Sequence, residues 1–200
     1  MFTPGRAIDA FRSSSKFARL RRFARDERGV TAVEFSQVAV PFFMFIFTLF
    51  TSCLYFFVVS SLENGMDQTT RLIRTGEAVT DKLTVDQFKE KVCDGAGTMV
   101  DCNKMQVWAE HFGDWSAPGL KPHQCVDSTT NTMIINSAKG SDPIATYSGS
   151  ASDVVIVTVC YKWDFASKLA FFKLGNMSDG SMIMQTSTAF RTEPYPVSGS

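Results

Sequence analysis

Residues 28–35 read Arg-Gly-Val-Thr-Ala-Val-Glu-Phe, and an apolar run over Ser36–Leu62 follows without a break. No charged residue lies between Glu34 and Glu63, and eight of residues 35–57 are phenylalanine. A helix needs about 20 apolar residues to cross a bilayer core of roughly 30 Å, so this run predicts a transmembrane helix. A buried core helix of that length without a polar face would be unusual in a chain of this size.

Basic residues are concentrated before the apolar run. Residues 1–29 hold eight Lys and Arg against three Asp and Glu, whereas residues 30–200 hold twelve against seventeen. The positive-inside rule therefore places the N-terminus in the cytoplasm and the domain after the span outside it. Nucleic acid is another usual partner of a basic arm, but an arm beside a span is better explained by anionic lipid headgroups. We therefore expect the lipid bilayer, and no nucleic acid, as its partner.

Cysteine usage agrees with export of the C-terminal part. Cys53 lies inside the apolar run, and the other four cysteines follow it: Cys93, Cys102, Cys125 and Cys160. Four cysteines in a small non-cytosolic domain predict two disulfides, for which three pairings exist. Cys93 with Cys102 and Cys125 with Cys160 is the favoured pairing, because the first two flank a glycine-containing turn. Zinc is the competing explanation, but no two cysteines have the short spacing of structural zinc sites.

The helix of the span is expected to continue into the exported domain. Apolar residues recur at helical spacing from Leu62 through Met66 to Ile73, with polar residues elsewhere around the helix, and Gly76 marks its end. A helix over residues 30–76 would carry one half in the bilayer and lay the other half against a sheet. Residues 77–200 are then left for a disulfide-containing α+β domain, in which a second helix is predicted over residues 85–92. That helix has Thr84 as N-cap and Gln87 three residues later, which is the pattern of a capping box.

Three strands are predicted in the exported domain, at Val107–Phe112, Val154–Trp163 and Ser181–Arg191. The middle one alternates valine and aromatic residues with a more mixed set, which indicates a central strand covered mainly on one face. Between the first two strands lies the segment 113–153, rich in Ser, Thr, Gly, Pro and Asn. A connection of that length in a compact domain usually signals function or mobility, and Cys125 could pin it to the strand that carries Cys160. The predicted fold class is α+β, with one long helix packed on a small antiparallel sheet.

Residues that could support catalysis are few. His111 and His123 are the only histidines, and each is expected at the surface or at an edge rather than as a base. The sequence has no G-x-S-x-G elbow, no phosphate-binding glycine loop after a strand and no H-E-x-x-H helix. We predict no catalytic residue, no metal site and no cofactor, and hence a protein that is not an enzyme.

The segment around Gly29 resembles the cleavage region of type IV pilin-like proteins. A hydrophilic leader ends in glycine, and glutamate stands five residues later with an aromatic residue behind it. The form R-G-x-T-A-V-E-F is particularly similar to the TadE-like minor pilins, or pseudopilins, of the tight-adherence (Tad/Flp) pilus. Two later segments also resemble that family, namely residues 88–102 with their cysteine pair and residues 189–195, which read Ala-Phe-Arg-Thr-Glu-Pro-Tyr. In the second segment Thr192 replaces the asparagine of the family.

The resemblance implies a function in pilus assembly. A prepilin peptidase would cut after Gly29, remove the basic leader 1–29 and leave Val30 as the new N-terminus. A glycine before the scissile bond gives an enzyme access to the backbone without a side chain in the way. Glu34 would then be the one ionised side chain at the head of an apolar helix, followed by Phe35, and it would set the register against the α-amino group of a neighbouring subunit. Pro41 removes a backbone donor inside the run and predicts a kink near residues 37–41.

The expected partners are the prepilin peptidase, other Tad pilins or pseudopilins, and the inner-membrane assembly platform. The expected location is the bacterial inner membrane, with the C-terminal domain in the periplasm and with possible incorporation into the pilus. An uncleaved, signal-anchored periplasmic domain that binds a ligand or acts as an enzyme is the alternative function. A secretory signal peptide fits less well, because its apolar region is shorter than this one.

Overall fold

A computed structural model describes residues 30–136, 138–168 and 175–194. Helices and strands follow in this order: α1 (Val30–Arg74), α2 (Glu77–Thr80), α3 (Val85–Ala96), a 3-10 turn (Cys102–Lys104), β1 (Met105–Phe112), α4 (Ala145–Ser148), β2 (Val154–Trp163), α5 (Phe165–Lys168) and β3 (Met182–Arg191). The strands form one antiparallel sheet in the order β1-β2-β3. The predicted α+β class, a long apolar helix and a small antiparallel sheet, is confirmed.

The chain divides into two compact units, Met1–Ser52 and Cys53–Ser200, and the division falls inside α1. In the described part of the first unit, α1 is surrounded by little other protein, and almost every side chain from Thr31 to Phe50 is exposed. α1 is also the one helix of the described residues that is long and apolar enough to cross a membrane, with a mean hydropathy of 2.3 over its most apolar stretch.

In the second unit, α1 contributes a buried stripe to the domain core. Leu62, Met66, Thr69 and Ile73 are at most 3 % exposed, which confirms the helical spacing predicted for this segment. The helix ends at Arg74, and Gly76 follows with φ of 78°, a left-handed conformation in which glycine is unstrained. The amide of Glu193, after β3, donates a hydrogen bond of 2.8 Å to the carbonyl of Arg74 and ties the helix end to the sheet.

α3 begins as its sequence predicts. The Thr84 side chain accepts a hydrogen bond from the Gln87 amide, and the Gln87 side chain accepts one from the Thr84 amide, so the capping box is formed. The helix then runs to Ala96, four residues beyond the predicted end. Phe88 and Val92 on its inner face are fully buried and join the core with the α1 stripe.

The central strand differs from its prediction on one point. β2 does lie between the other two strands, with Val159 opposite Val107 on one side and Thr186 on the other. However, it is buried on both faces, not mainly on one. The alternation of its side chains indicated only one apolar face. The long segment between β1 and β2 folds back over the second face. There Cys125 of this segment forms a separate apolar cluster with Trp108, Cys160 and Ile183 of the three strands.

β1 is two residues longer than predicted, and β3 begins one residue later than predicted. Met105 pairs with Tyr161 and Gln106 pairs with Cys160, so the sheet recruits two residues whose own pattern did not indicate a strand. These pairings leave β1 and β3 as the two edge strands.

A close crossing of α1 and α3 holds the two helices together. A Cβ atom placed on Gly65 would lie 2.6 Å from the Ala96 nitrogen, and one placed on Gly95 would lie 2.8 Å from the Gly65 Cα. The two backbones are therefore in direct contact at this point. No other residue fits there without displacing a helix.

Candidate functional site

The segment predicted to carry assembly forms the first two turns of α1. Val30 is the first described residue, so Gly29 and the basic leader lie outside the described residues. Glu34 and Phe35 both project from α1 into open surroundings, and Phe35 is 71 % exposed. Among the described residues, no ion pair or side-chain hydrogen bond includes Glu34.

The apolar surface of α1 is extensive and has few polar groups. Eleven large apolar residues of this surface are between 43 % and 71 % exposed: Phe35, Val38, Val40, Phe42, Phe43, Met44, Phe45, Ile46, Phe47, Leu49 and Phe50. The hydroxyls within it are satisfied by their own helix. Ser36 donates to the Val33 carbonyl, Thr48 to Met44, Thr51 to Phe47, and Ser52 to Thr48, at 2.8 or 2.9 Å. Such internal pairing suits a helix whose surroundings offer no hydrogen-bond partner.

Pro41 lies within α1, and the helix continues on both sides of it. Proline lacks the amide hydrogen that would bond the carbonyl of residue 37. A kink at this position stays a prediction.

Two disulfides fasten the domain that follows the apolar run, in the pairing that the sequence favoured. Cys93 in α3 is bonded to Cys102 at the 3-10 turn, with 5.7 Å between their Cα atoms. Cys125 in the long segment is bonded to Cys160 in β2, with 5.6 Å between Cα atoms. The second bond fixes the cover of the second sheet face directly to the central strand. Cys53 is free and exposed on α1.

The same domain also has an open cleft of about 720 Å³ beside the end of β1. Its lining includes both histidines of the chain. His123 stacks on Trp108 with 4.6 Å between ring centroids, and its Nδ1 lies 3.2 Å from the Glu110 carboxylate. The Nδ1 atom of His111 lies 3.2 Å from the carbonyl oxygen of Tyr147. Sequence reasoning placed each histidine at a surface or an edge and did not foresee that they would share a cleft.

The segment around His123 is held against the sheet by its backbone. The His123 amide donates to Thr158 Oγ1 at 3.2 Å, and its carbonyl accepts from Gln185 Nε2 at 2.9 Å. The side-chain Oε1 of Gln185 also accepts a hydrogen bond from the Cys125 amide. These contacts make His123 part of the cover over the second sheet face. Its stacking on Trp108 and its contact with Glu110 therefore help to hold that cover in place.

The cleft lacks the geometry of a hydrolytic site. Among the described residues, no Ser, Thr, Cys or Lys side chain is hydrogen-bonded to either imidazole, and no three His, Cys, Asp or Glu side chains are grouped as metal ligands. A nucleophile needs an adjacent base to be activated, and the described residues of the cleft contain no such hydrogen-bonded pair.

One further charged pair stabilises the turn before β3. The Asp179 carboxylate accepts a hydrogen bond from the Lys162 ammonium, and Ser181 donates from both its hydroxyl and its amide. These hydrogen bonds, that of Lys162 first, hold the pKa of Asp179 far below its usual value. The turn directly before β3 is thereby fixed against β2.

Comparison with known families supports the interpretation of the N-terminal segment. The sequence model of the family described as TadE-like protein matches residues 29–71. The match begins at the glycine of the predicted cleavage site and ends near the end of α1. Neither a curated protein nor a solved structure matches the chain.

Proposed function

We propose that this chain, which is a TadE-like protein of the Tad pilus, acts as a minor pilin or pseudopilin after a prepilin peptidase cuts behind Gly29. Its association with the Tad pilus follows from the family match over residues 29–71. One observation carries the more specific role. Glu34 is exposed at the head of an exposed apolar helix, next to the residues that the family pattern assigns to cleavage, and it makes no ion pair or side-chain hydrogen bond with any described residue.

Cleavage would change how firmly α1 is anchored. The leader 1–29 holds eight Lys and Arg, and removing it eliminates every charged side chain before Glu34. Cationic side chains hold a helix end at anionic lipid headgroups, at about 1 kcal/mol for each residue near the surface. Without them, the helix could be drawn out of the bilayer and stacked with others of its kind.

Glu34 would specify how the helices stack. A carboxylate that enters an apolar bundle needs a cationic partner, since its burial alone is costly. In the cleaved chain, the α-amino group of a neighbour's Val30 is such a partner. The eleven exposed apolar side chains that follow provide the packing surface, but they do not by themselves fix the axial register.

The exported domain would project from the outer side of the inner membrane. Two disulfides are typical of a domain in an oxidising compartment. Basic residues beside a span are typical of its cytoplasmic side. In this arrangement the partners are the prepilin peptidase, companion Tad pilins or pseudopilins, and the assembly platform in the inner membrane.

Substitution of Glu34 tests this role. Glu34→Ala should leave membrane insertion intact and abolish or strongly reduce pilus formation and capture of partner pilins. Glu63→Ala is the matched control, because Glu63 is an exposed carboxylate on the same helix. Normal piliation with Glu34→Ala would refute the role given to this residue.

The cleft beside β1 favours a second candidate function. A volume of about 720 Å³ lined by two histidines could hold a ligand, as in a signal-anchored periplasmic binding domain or enzyme that is never cleaved. The two functions differ in the mature N-terminus. A pilin begins at Val30, whereas an anchored domain keeps its basic leader.

A further inference from the structure

Three aromatic side chains meet at one end of the exported domain, and we refer to Tyr55, Trp163 and Phe165 as the aromatic collar. The Tyr55 and Trp163 rings have centroids 6.4 Å apart, and the Trp163 and Phe165 rings are 5.5 Å apart. Trp163 is 8 % exposed, whereas Phe165 is 40 % exposed and faces outward. The collar therefore joins α1 to the end of β2 and presents an aromatic edge to the surroundings.

The sequence separation between Glu34 and the collar matches the length of a membrane span. Tyr55 follows Glu34 by 21 residues, and a helix needs about 20 residues to cross a bilayer. The hydrocarbon core of a bilayer is about 30 Å thick. The segment between the carboxylate and the collar is therefore long enough to cross the core.

Burial in the domain core begins on α1 in the region around Tyr55. Val58 is 2 % exposed and Leu62 is 1 % exposed, and both pack in the core of the domain. Phe56 and Phe57, directly beside Tyr55, are 67 % and 56 % exposed. The apolar run therefore changes its surroundings within a turn of Tyr55, from an open surface to protein.

Charged groups adjoin the collar. Asp164 stands between the two collar residues of the β2 end, and its carboxylate lies 2.8 Å from Lys104 Nζ. The same Nζ lies 3.3 Å from the Asp101 carboxylate, and Lys168 ends the short helix that Phe165 begins. These ions would resist entry into hydrocarbon, whereas aromatic rings favour the headgroup layer.

We propose that the aromatic collar lies in the headgroup layer of the bilayer, so that the span ends at Tyr55 and lipid headgroups contact this end of the exported domain. The proposal rests on the membrane anchoring of α1, which is part of the proposed function, but not on cleavage or pilus assembly. Val58 and Leu62 then belong to the domain core, although the sequence alone groups them with the span.

Spin labels on the full-length protein in vesicles test the location of the collar. In a Cys53→Ser background, a maleimide nitroxide is attached to Phe165→Cys, with Phe47→Cys and Ile135→Cys as controls for lipid and water. Phe47 is 59 % exposed on α1 and Ile135 is 74 % exposed on the domain. Vesicles of phosphatidylethanolamine and phosphatidylglycerol are used, and collisions with oxygen and with a water-soluble nickel chelate are measured.

The expected result is a graded series. The Phe47 label should collide with oxygen and not with the chelate, and the Ile135 label should show the reverse. The Phe165 label should be intermediate, with a loss of chelate collisions compared with Ile135. Phe57→Cys should give the same intermediate value from the helix side, independently of the fold around Phe165.

Three results would overturn the proposal. The collar would lie in water if the labels at Phe165 and Phe57 were as accessible to the chelate as the label at Ile135. It would lie in the hydrocarbon if they were as protected as the label at Phe47. A Phe47 label exposed to the chelate would show that α1 does not enter the bilayer. Loss of piliation in a Glu34 variant bears on the pilin role alone, so the two proposals fail separately.

Discussion

Gly65 of α1 and Gly95 of α3 pack backbone against backbone, and this contact decides how closely the long helix lies against the rest of the domain. A methyl group on either glycine would meet main-chain atoms of the other helix, at 2.6 Å for Gly65 and 2.8 Å for Gly95. Main chain cannot rotate away as a flexible side chain can. The core residues on both helices are placed by this contact.

Gly65→Ala should therefore destabilise the domain, although alanine is the better helix former. The helix propensity gained is about 1 kcal/mol, while overpacking against main chain costs typically 1–3 kcal/mol, and here it also displaces core side chains. We expect a lower midpoint of urea unfolding in detergent micelles. Gly113→Ala is the control, because a Cβ there meets nothing within 4 Å. Equal midpoints for Gly65→Ala and wild type would refute the close crossing.

Leu62→Ala should cost about 2–5 kcal/mol of unfolding free energy, as is typical of a large-to-small change in a packed core. Leu62 is 1 % exposed in the core, whereas Leu49 on the same apolar run is 48 % exposed. Leu49→Ala should leave the urea midpoint of the domain almost unchanged. A similar loss for both variants would contradict the division of the run into an exposed part and a core part.

Removal of the Cys125–Cys160 disulfide by a double change to alanine should loosen the cover of the second sheet face. Loss of a native disulfide costs about 2–5 kcal/mol in small exported domains. Hydrogen exchange should rise around Cys125 and along the second face of β2, and a dye that binds exposed apolar surface should bind more strongly. The double change to alanine at Cys93 and Cys102 is the control. The disulfide that it removes closes a shorter loop and does not touch that face. Unchanged hydrogen exchange around Cys125 would contradict the conclusion that this disulfide holds the long segment against β2.

Asp179→Asn should lower stability at neutral pH, by less than about 1 kcal/mol because the pair with Lys162 is partly exposed and screened. The folded state depresses the pKa of Asp179, so its contribution is present above the ordinary carboxyl range and is lost as the pH falls toward the lowered pKa. The difference between wild type and variant should thus be constant near neutral pH and shrink below about pH 4. Asp81→Asn, at an exposed carboxylate, is the control for general charge effects. A stability difference between wild type and Asp179→Asn that grows on acidification would contradict the lowered pKa of Asp179.

Local chemistry explains which parts of the fold were predictable. Thr84 and Gln87 form their cap within one turn, and the alternating valines of β2 indicate a strand regardless of what surrounds it. The crossing of Gly65 with Gly95 was not predicted, because a glycine inside a helical pattern does not say which backbone approaches it. Its position in the buried stripe of α1 was the available signal.

The second face of the sheet and the cleft depend on contacts far apart in sequence. Trp108, His123 and Gln185 come together only because the long segment folds back over β2, and nothing in its polar composition indicated this path. The exposed Glu34 at the head of α1 was predictable, since a single charge before an apolar run is visible in the sequence.

The central claim is that the chain is released from its basic leader by one cut, and the mass of the mature N-terminus tests it most directly. Protein purified from the native membrane or pilus should yield an N-terminal peptide that begins at Val30 and contains Glu34. A functional protein that retains Arg28 and the preceding basic residues would contradict the account.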